Sequence, residues 1–571
     1  MDFGLKGKII FRNREWAKKE LQELSDKLST FLQLNHVTSE NVVAIAMDRT
    51  PMLLVTIITL LNRSILFLPI NEELPSERLE YMLDNAGVDV ILTDTDWLQS
   101  SGQKRRVLFF DETQVEIRKQ ESNYTGKQDL AYILFTSGST GKPKAVEVLR
   151  SGLENFIHAI SERIIFPEDV RIACFTSEMF DIFFLESVFA MHNGMTIVLA
   201  DRDERNNPKK MIDLIVKEKV NVIQMTPTSF QMLEIVDNDL KCLEVVDTIM
   251  VGGEKFPMPL LKKLQYSTRA RIYNMYGPTE TTIWSTIAEL TSRNEITIGT
   301  PVLNTEVYIV DDDGKRLGVN EEGEICIAGG GLARGYRNNQ EQTAHSFIDI
   351  VLNDENKRIY KTGDVGYQRE DGEFVCLGRK DLQIKIRGHR IELEEIEENL
   401  VKMCGVENAV TSVYEEKYGK KIICFYTALE DIEESKLRQF LEKKLPQYMI
   451  PSHFVRVEKF EYTTSKKIDR KKMIQAFEKN RIHMESEEKE ISRGKSGTKI
   501  LQILHEIIGQ SNEKIGYDSA FQEIGMDSVM YINFIVQLEE EFQIEINDKF
   551  LQDVSAFKVQ DIVDFVNEQL G

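Results

Sequence analysis

The residues best equipped for chemistry stand in one run, Phe135-Thr136-Ser137-Gly138-Ser139-Thr140-Gly141-Lys142-Pro143-Lys144. Gly, Ser, Thr and Lys together supply free backbone N–H groups, hydroxyls and ammonium groups, an inventory suited to a polyphosphate. The run departs from the P-loop, which needs Gly-Lys followed by Ser or Thr. Here Pro143 follows Gly141-Lys142, and the later Gly494-Lys495-Ser496 has Lys489 where the upstream Gly of that motif belongs. The same composition also suits a solvated linker; the apolar run Leu130-Ala131-Tyr132-Ile133-Leu134 before it reads as a buried strand and favours phosphate. Three further places carry chemistry. Asp181 sits alone in Met179-Phe180-Asp181-Ile182-Phe183-Phe184-Leu185. If buried, it needs a cation or a proton; on a loop it needs neither. Lys466 and Lys467 lie in a charge run that is either a solvated face or a source of one aimed ammonium group. In Gly525-Met526-Asp527-Ser528, glycine allows a sharp turn and Ser528 begins a helix. That pair either caps the helix or presents the serine at its N-terminus, where a phosphodiester is favoured.

The elements that must position these residues follow from hydrophobic period. Residues 12–34 read as an amphipathic helix with Trp16, Leu21, Leu24, Leu28 and Leu32 on one side. Short apolar strands then alternate with helices, through Val42–Met47, Pro51–Leu61, Leu66–Ile70 and Val88–Thr93, and again through Thr196–Leu199 and Val222–Met225. This predicts parallel sheets built from βαβ units. After about residue 296, hairpin signals such as Asp312-Asp313-Gly314 predict a small antiparallel β region. The divisions expected are a core over 1–380, a smaller α+β piece over 381–479, a charged linker over 480–498 and a helical domain over 499–571. The fold class is multidomain α/β ending in an all-α four-helix domain. A formal net charge of −22 argues against a nucleic-acid surface, while a local basic pocket remains compatible with ATP. The six cysteines show no metal-ligand spacing, and no run is long enough to span a membrane. With no signal pattern at Met1-Asp2-Phe3-Gly4-Leu5-Lys6, the expected compartment is the cytoplasm.

Several long motifs resemble the adenylate-forming superfamily of acyl-CoA ligases, luciferases and nonribosomal peptide synthetase adenylation domains. They are Tyr132 to Lys144, Asn274-Met275-Tyr276-Gly277-Pro278-Thr279-Glu280, Gly331-Leu332-Ala333-Arg334-Gly335-Tyr336, Tyr360-Lys361-Thr362-Gly363-Asp364, Gly378-Arg379-Lys380-Asp381, Arg387-Gly388-His389-Arg390-Ile391-Glu392, Leu445-Pro446-Gln447-Tyr448 and Lys467-Ile468-Asp469-Arg470, in the family's order. The resemblance implies a large adenylation core, a lid and ATP-driven activation of a carboxylate. It assigns the phosphates to Thr136, Ser137, Gly138, Ser139, Thr140, Gly141 and Lys144, and Mg²⁺ to Glu280. Asp364 takes the ribose hydroxyls and Tyr276 the adenine, with Asn274, Gly277, Thr279, Tyr367 and Arg379 also around ATP. Lys467 is the catalytic lysine, although the family usually has Gly where this chain has Lys466; Asp381 is the hinge, and Gly388 and Arg390 belong to the lid.

Asp181 matches the position that pairs with the ammonium of an amino acid, and the pocket carried over with it is Ile182, Leu185, Gln224, Ile249, Val251, Met275, Ile283 and Trp284, closed by Lys467. This set resembles a glycine-type pocket, with alanine or another small amino acid as the alternative. Gly525-Met526-Asp527-Ser528 resembles the attachment site of a phosphopantetheine carrier, nearer the acyl than the peptidyl form. The expectation is a didomain that uses ATP and Mg²⁺ to load a small amino acid onto 4′-phosphopantetheine at Ser528. Its partners would be a phosphopantetheinyl transferase and a downstream condensation, tailoring or synthase protein acting in trans, with no nucleic acid and no membrane. An acyl- or aryl-CoA ligase and a catalytically silent carrier scaffold are the rival readings. Neither a His-His-x-x-x-Asp-Gly condensation motif nor a Gly-x-Ser-x-Gly thioesterase motif occurs.

Overall fold

Strands buried on both faces need continuous apolar runs, and the sequence supplies them. In a computed structural model, the residues described are 1–571 without 72–73, 96–104, 118–128, 139–140, 353–354, 387, 417–418, 462–467, 489–495, 509–514, 522–523, 525, 527, 543, 545, 547–557 and 571. A six-stranded sheet runs in the order Arg106–Phe109, Val90–Thr93, Val42–Ala46, Leu66–Pro69, Leu130–Thr136, Lys144–Leu149. Its pairings are parallel except the last, which is antiparallel. A nine-stranded sheet has a parallel centre, Arg271–Tyr276, Thr248–Gly252, Val222–Met225, Arg171–Cys174, Thr196–Leu199 and Lys8–Phe11, with antiparallel strands at both edges. Helix Pro51–Asn62 has proline in its first turn, and the Thr50 side chain accepts from the Met52 amide, so the helix starts cleanly.

The first helix is shorter than its periodicity suggests. It spans Lys18–Leu34, with Leu21, Leu24, Leu28 and Leu32 buried. The preceding residues form a hairpin of Lys8–Phe11 with Arg14–Trp16, turned by Arg12 and Asn13 at positive φ. Trp16 therefore lies on a strand, with the Arg14 guanidinium 3.9 Å from its ring.

The antiparallel region is a five-stranded sheet. Its long strand Glu355–Gln368 carries Asp364, and the register shifts between Val365 and Gly366. A two-stranded hairpin, Gln383–Ile386 with His389–Glu392, follows. The chain forms two compact units, the larger of Met1–Arg205, Lys210–Phe230 and Asp239–Glu392, the other of Asn206–Lys209, Gln231–Asn238 and Leu393–Gly571, so this hairpin packs with the larger one. The second unit holds a three-stranded sheet, Val406–Glu416, Gly419–Ala428 and His453–Arg456, with helices around it. In the same unit, helices Ser496–Ile508, Ser528–Phe542 and Val559–Leu570 enclose a core of Ile500, Leu504, Phe521, Phe534, Leu538 and Ile562, among others. Among the described residues, no helix is long and apolar enough to cross a membrane.

Candidate active site

The glycine- and serine-rich run connects two antiparallel strands, Leu130–Thr136 and Lys144–Leu149, with Thr136 opposite Lys144. Backbone closure explains its glycines: a Cβ on Gly138 would lie 2.1 Å from the Lys142 carbonyl oxygen, and Gly141 has φ +67°. Thr136 Oγ1 is buried without a partner, an orphan that a phosphate oxygen would satisfy. Lys144 is buried, with its ammonium 5.1 Å from the Tyr336 ring centroid. Burial and the neighbouring Arg390 lower its pKa, against the pull of Glu280. Ser139 and Thr140 lie outside the described residues.

Glu280 sits on the turn Thr279–Thr281 with no exposed side-chain surface. Burial would raise its pKa, but Arg390, Lys144 and the Tyr336 hydroxyl outweigh it and bring it to about 2. The Tyr336 hydroxyl donates to Oε1 at 2.8 Å. A permanently ionised carboxylate beside a phosphate-binding run fits Mg²⁺, which commonly takes one or two carboxylates and completes its shell with phosphates and water. No cluster of three metal-ligating side chains occurs among the described residues.

Asp364 accepts from the Tyr276 hydroxyl at 2.6 Å and from Arg379 Nη1 at 3.2 Å. Arg379 also binds Asp381 through Nε and Nη2, at 2.7 and 2.6 Å. Asn274 donates to the Thr297 carbonyl at 2.7 Å, and a Cβ on Gly277 would lie 2.4 Å from the Ile283 carbonyl oxygen. Tyr367 is paired with Val375 on the same strand as Asp364. The Thr279 side chain favours the ionised form of Asp181.

The pocket residues carried over from the family divide in two. Neighbours in register on adjacent strands point to the same face, and successive residues alternate. Gln224 pairs with Met250, Met250 with Tyr273, and Gly252 with Met275, so Gln224, Met250, Gly252 and Met275 share one face. Ile249 and Val251 point to the other, with Asn274. The core agrees: Met250 packs in one cluster with Ile182, Leu185, Met275, Ile283 and Trp284, and that cluster includes neither Ile249 nor Val251. The expected pocket set thus divides between the two faces of this strand, Ile249 and Val251 on one and Gln224 and Met275 on the other. The apolar run Thr248–Gly252 is buried on both sides, so composition could not tell one face from the other. A Cβ on Gly252 would lie 2.5 Å from Trp284 Cη2 and 2.8 Å from the Met275 carbonyl oxygen. The indole thus lies directly on this glycine.

Asp181 is buried, which pushes its pKa up to about 6, while the Thr279 hydroxyl and Lys385 pull it down. Two donors of the carried-over set are buried without partners, Gln224 Nε2 and Trp284 Nε1. Sequence reasoning missed three contributors. Glu186 is buried beside Leu185, accepts from the Thr176 amide and hydroxyl at 2.8 and 2.5 Å, and has its pKa pushed by burial to about 7. Lys385 brings a cation near Asp181 and Asp364. Glu254 accepts from the Thr228 hydroxyl at 2.7 Å and from the Gly388 amide. The one available signal was a second lone carboxylate, Glu186, in an apolar run. Lys467 lies outside the described residues, as do Gly525 and Asp527; Ser528 is the first residue of its helix.

Comparison with known proteins places this geometry. Residues 5–337 match the AMP-binding enzyme family. The chain belongs to that family. Residues 395–467 match the AMP-binding enzyme C-terminal domain and residues 498–565 the phosphopantetheine attachment site. The chain is 33% identical over 547 residues to Bacitracin synthase 1 of Bacillus licheniformis, covering 94% of this chain and 10% of that protein. It is 30% identical over 563 residues to Tyrocidine synthase 1 of Brevibacillus parabrevis, covering 95% of this chain and 50% of that protein. It therefore spans a tenth of one relative and half of the other. Its fold is shared with a holo nonribosomal peptide synthetase protein containing adenylation and PCP domains, bound to a vinylsulfonamide inhibitor, at TM-score 0.82 and 21% identity over 99% of this chain and 94% of that one. A four-domain nonribosomal peptide synthetase bound to AMP and glycine matches at TM-score 0.61 and 26% identity, over 99% of this chain and 42% of that one. This AMP-binding enzyme thus has the adenylation–carrier organisation of nonribosomal peptide synthetases. ATP with Mg²⁺ serves the first part and 4′-phosphopantetheine the second.

Proposed function

We propose that this chain activates glycine and loads it onto its own carrier. A substrate carboxylate oxygen attacks the α-phosphorus of ATP, a C–O–P bond forms, and pyrophosphate leaves. Two anions meet in this step, so fixed cations and donors carry it. Lys144, the orphaned Thr136 hydroxyl and Ser137 would face the phosphates; Glu280 would hold Mg²⁺; Asp364 would accept the ribose hydroxyls beside Tyr276. Lys467 bridges the substrate carboxylate and the α-phosphate. 4′-Phosphopantetheine on Ser528 would supply the thiol that accepts the glycyl group, with AMP leaving. The core through residue 380, lid 381–479, linker 480–498 and carrier 499–571 divide this work. A phosphopantetheinyl transferase and a downstream protein in trans complete it.

One observation supports the choice of glycine: the Trp284 indole lies against Gly252, on the face shared by Gln224 and Met275, and we take it as the wall that the substrate's α-carbon meets. Asp181 anchors the ammonium group. The glycine-bound relative supports the same reading. The deciding test is intact-protein mass spectrometry of the pantetheinylated chain after incubation with ATP, Mg²⁺ and mixed amino acids. A glycyl mass increment on the carrier is expected; a larger increment, or none, would sink the proposal.

A further inference from the structure

Glu186 stands on the π-helical turn Leu185–Phe189 and is fully buried. Its Oε2 accepts from the Thr176 amide at 2.8 Å and its Oε1 from the Thr176 hydroxyl at 2.5 Å. The same hydroxyl lies 3.4 Å from Gln224 Oε1. One hydroxyl carries one proton, so it cannot donate to both. An ionised carboxylate takes it, because a charge-assisted contact is the stronger. Gln224 Oε1 then faces an oxygen that offers only lone pairs, while Gln224 Nε2 is buried without an acceptor. Half a turn of the amide removes both mismatches: Nε2 donates to Thr176 Oγ1, and Oε1 takes the place of Nε2. With Glu186 protonated the order reverses. Its O–H donates to Thr176, the Thr176 hydroxyl donates to Gln224 Oε1, and Nε2 is the end left over. The charged surroundings of Glu186 are few among the described residues. Arg49, held by the Ala200 and Cys174 carbonyls and by Glu178, is its cation, and burial pushes the neighbouring Cys174 thiol up. Helix Pro51–Asn62, packed against the turn, has no titratable side chain; Arg171 bonds the Glu218 carbonyl and His192 meets Lys6 instead. Burial outweighs Arg49 and brings the Glu186 pKa to about 7.

We propose that Glu186 is a positioning residue: by taking the Thr176 proton it turns the Gln224 amide so that Oε1 faces the substrate and shares the ammonium group with Asp181. Gln224 stands on the strand face that it shares with Met250, Gly252 and Met275. Loss of the Glu186 charge reverses the amide and sets an N–H group against the ammonium. The inference rests on the reading of Asp181 and that strand face as the amino-acid pocket.

The test measures kcat and KM for glycine and for ATP by ATP–pyrophosphate exchange, in the full chain, from pH 6 to 8. Glu186→Gln is the neutral isostere. Its new amide oxygen accepts from the Thr176 N–H, so its NH₂ donates to the Thr176 hydroxyl and holds Gln224 in the reversed orientation. The ratio of its glycine KM to that of the parent should be about tenfold at pH 8, the scale of one hydrogen bond to a charged group. It should shrink to about twofold at pH 6, as Glu186 of the parent takes up its proton. Asp181 is common to both proteins, so its titration cancels in the ratio. The KM for ATP and kcat should stay near the parent. Thr176→Val lacks the shared proton and should also raise the glycine KM at pH 8, and Thr176→Ser should restore it; this pair carries the test if Glu186→Gln does not fold. A ratio that stays constant from pH 6 to 8, or a rise in KM shared equally by ATP, would overturn this inference alone, as would a Thr176→Val protein with the parent's glycine KM. A parent without glycine-dependent exchange would overturn the proposed function as well.

Discussion

Gly252→Ala is the sharpest perturbation of the proposed pocket. The added methyl would stand 2.5 Å from Trp284 Cη2, 3.0 Å from Trp284 Cζ2 and 2.8 Å from the Met275 carbonyl oxygen. The carbonyl belongs to the neighbouring strand of the nine-stranded sheet and cannot retreat without breaking register. The indole must move instead, and it is buried in the core cluster that holds Ile182, Leu185 and Met275. Overpacking a filled site by one methyl costs about 1–3 kcal/mol, or about 5- to 150-fold in kcat/KM for glycine. Nucleotide binding should survive, because Asp364, Tyr276 and Lys144 lie on other elements. The assay is pyrophosphate release against glycine and alanine concentration. Val251→Ala serves as the control on the opposite strand face: it should lower stability but leave the glycine-to-alanine ratio unchanged. The strand-face argument fails if Val251→Ala shifts that ratio and Gly252→Ala does not.

Lys467→Ala should abolish ATP–pyrophosphate exchange while nucleotide binding persists, with Lys466→Ala near the parent; the opposite pattern would move the catalytic role to Lys466. Ser528→Ala should still release pyrophosphate with glycine yet never gain the pantetheine mass, and a pantetheine mass found on the variant would refute the assignment. The ammonium group needs Asp181 ionised, and burial sets that carboxyl's pKa at about 6. Glycine kcat/KM should therefore fall about tenfold per pH unit on the acid side of that value, and a flat profile from pH 5 to 7 would remove Asp181 from the anchor role. Glu186 binds its proton more tightly folded, about 7, than the ordinary 4.5. Its contribution to stability is present below pH 4.5 and lost as pH rises through 7. Glu186→Gln should flatten the fall of Tm across that window, and an unchanged slope would mean that Glu186 does not titrate there.

The alternation of apolar strands with helices was legible because each run is short, buried and bounded by turn residues. The turn at the Gly- and Ser-rich run was legible because its residues cannot continue the apolar strand Leu130–Thr136 before it. What period could not reveal was the first helix boundary, where Trp16 continues the apolar stripe of Leu21 and Leu24 while positive φ at Arg12 and Asn13 turns the chain into a hairpin. Hydrophobic spacing records which residues seek the core, and both a strand and a helix would have buried that tryptophan.

The strand Thr248–Gly252 shows the same limit at the place where it matters for chemistry. Every residue in it is buried, so its two faces differ only in what lies opposite them: Gln224 and Met275 on one side, Asn274 on the other. A slip of one position exchanges those faces completely. Pairing across three strands tells the two faces apart, and it changes the specificity that we propose. A pocket walled by Val251 would reject a side chain with an aliphatic group that a single mutation could trim. A pocket walled by Gly252 has no side chain to trim on that strand; the indole of Trp284 occupies the space, held there by the absence of a Cβ beneath it. On the proposed reading, selectivity for glycine resides in the contact between Gly252 and Trp284. Relaxing it requires shrinking Trp284, while enlarging Gly252 should only drive the ring further into the site.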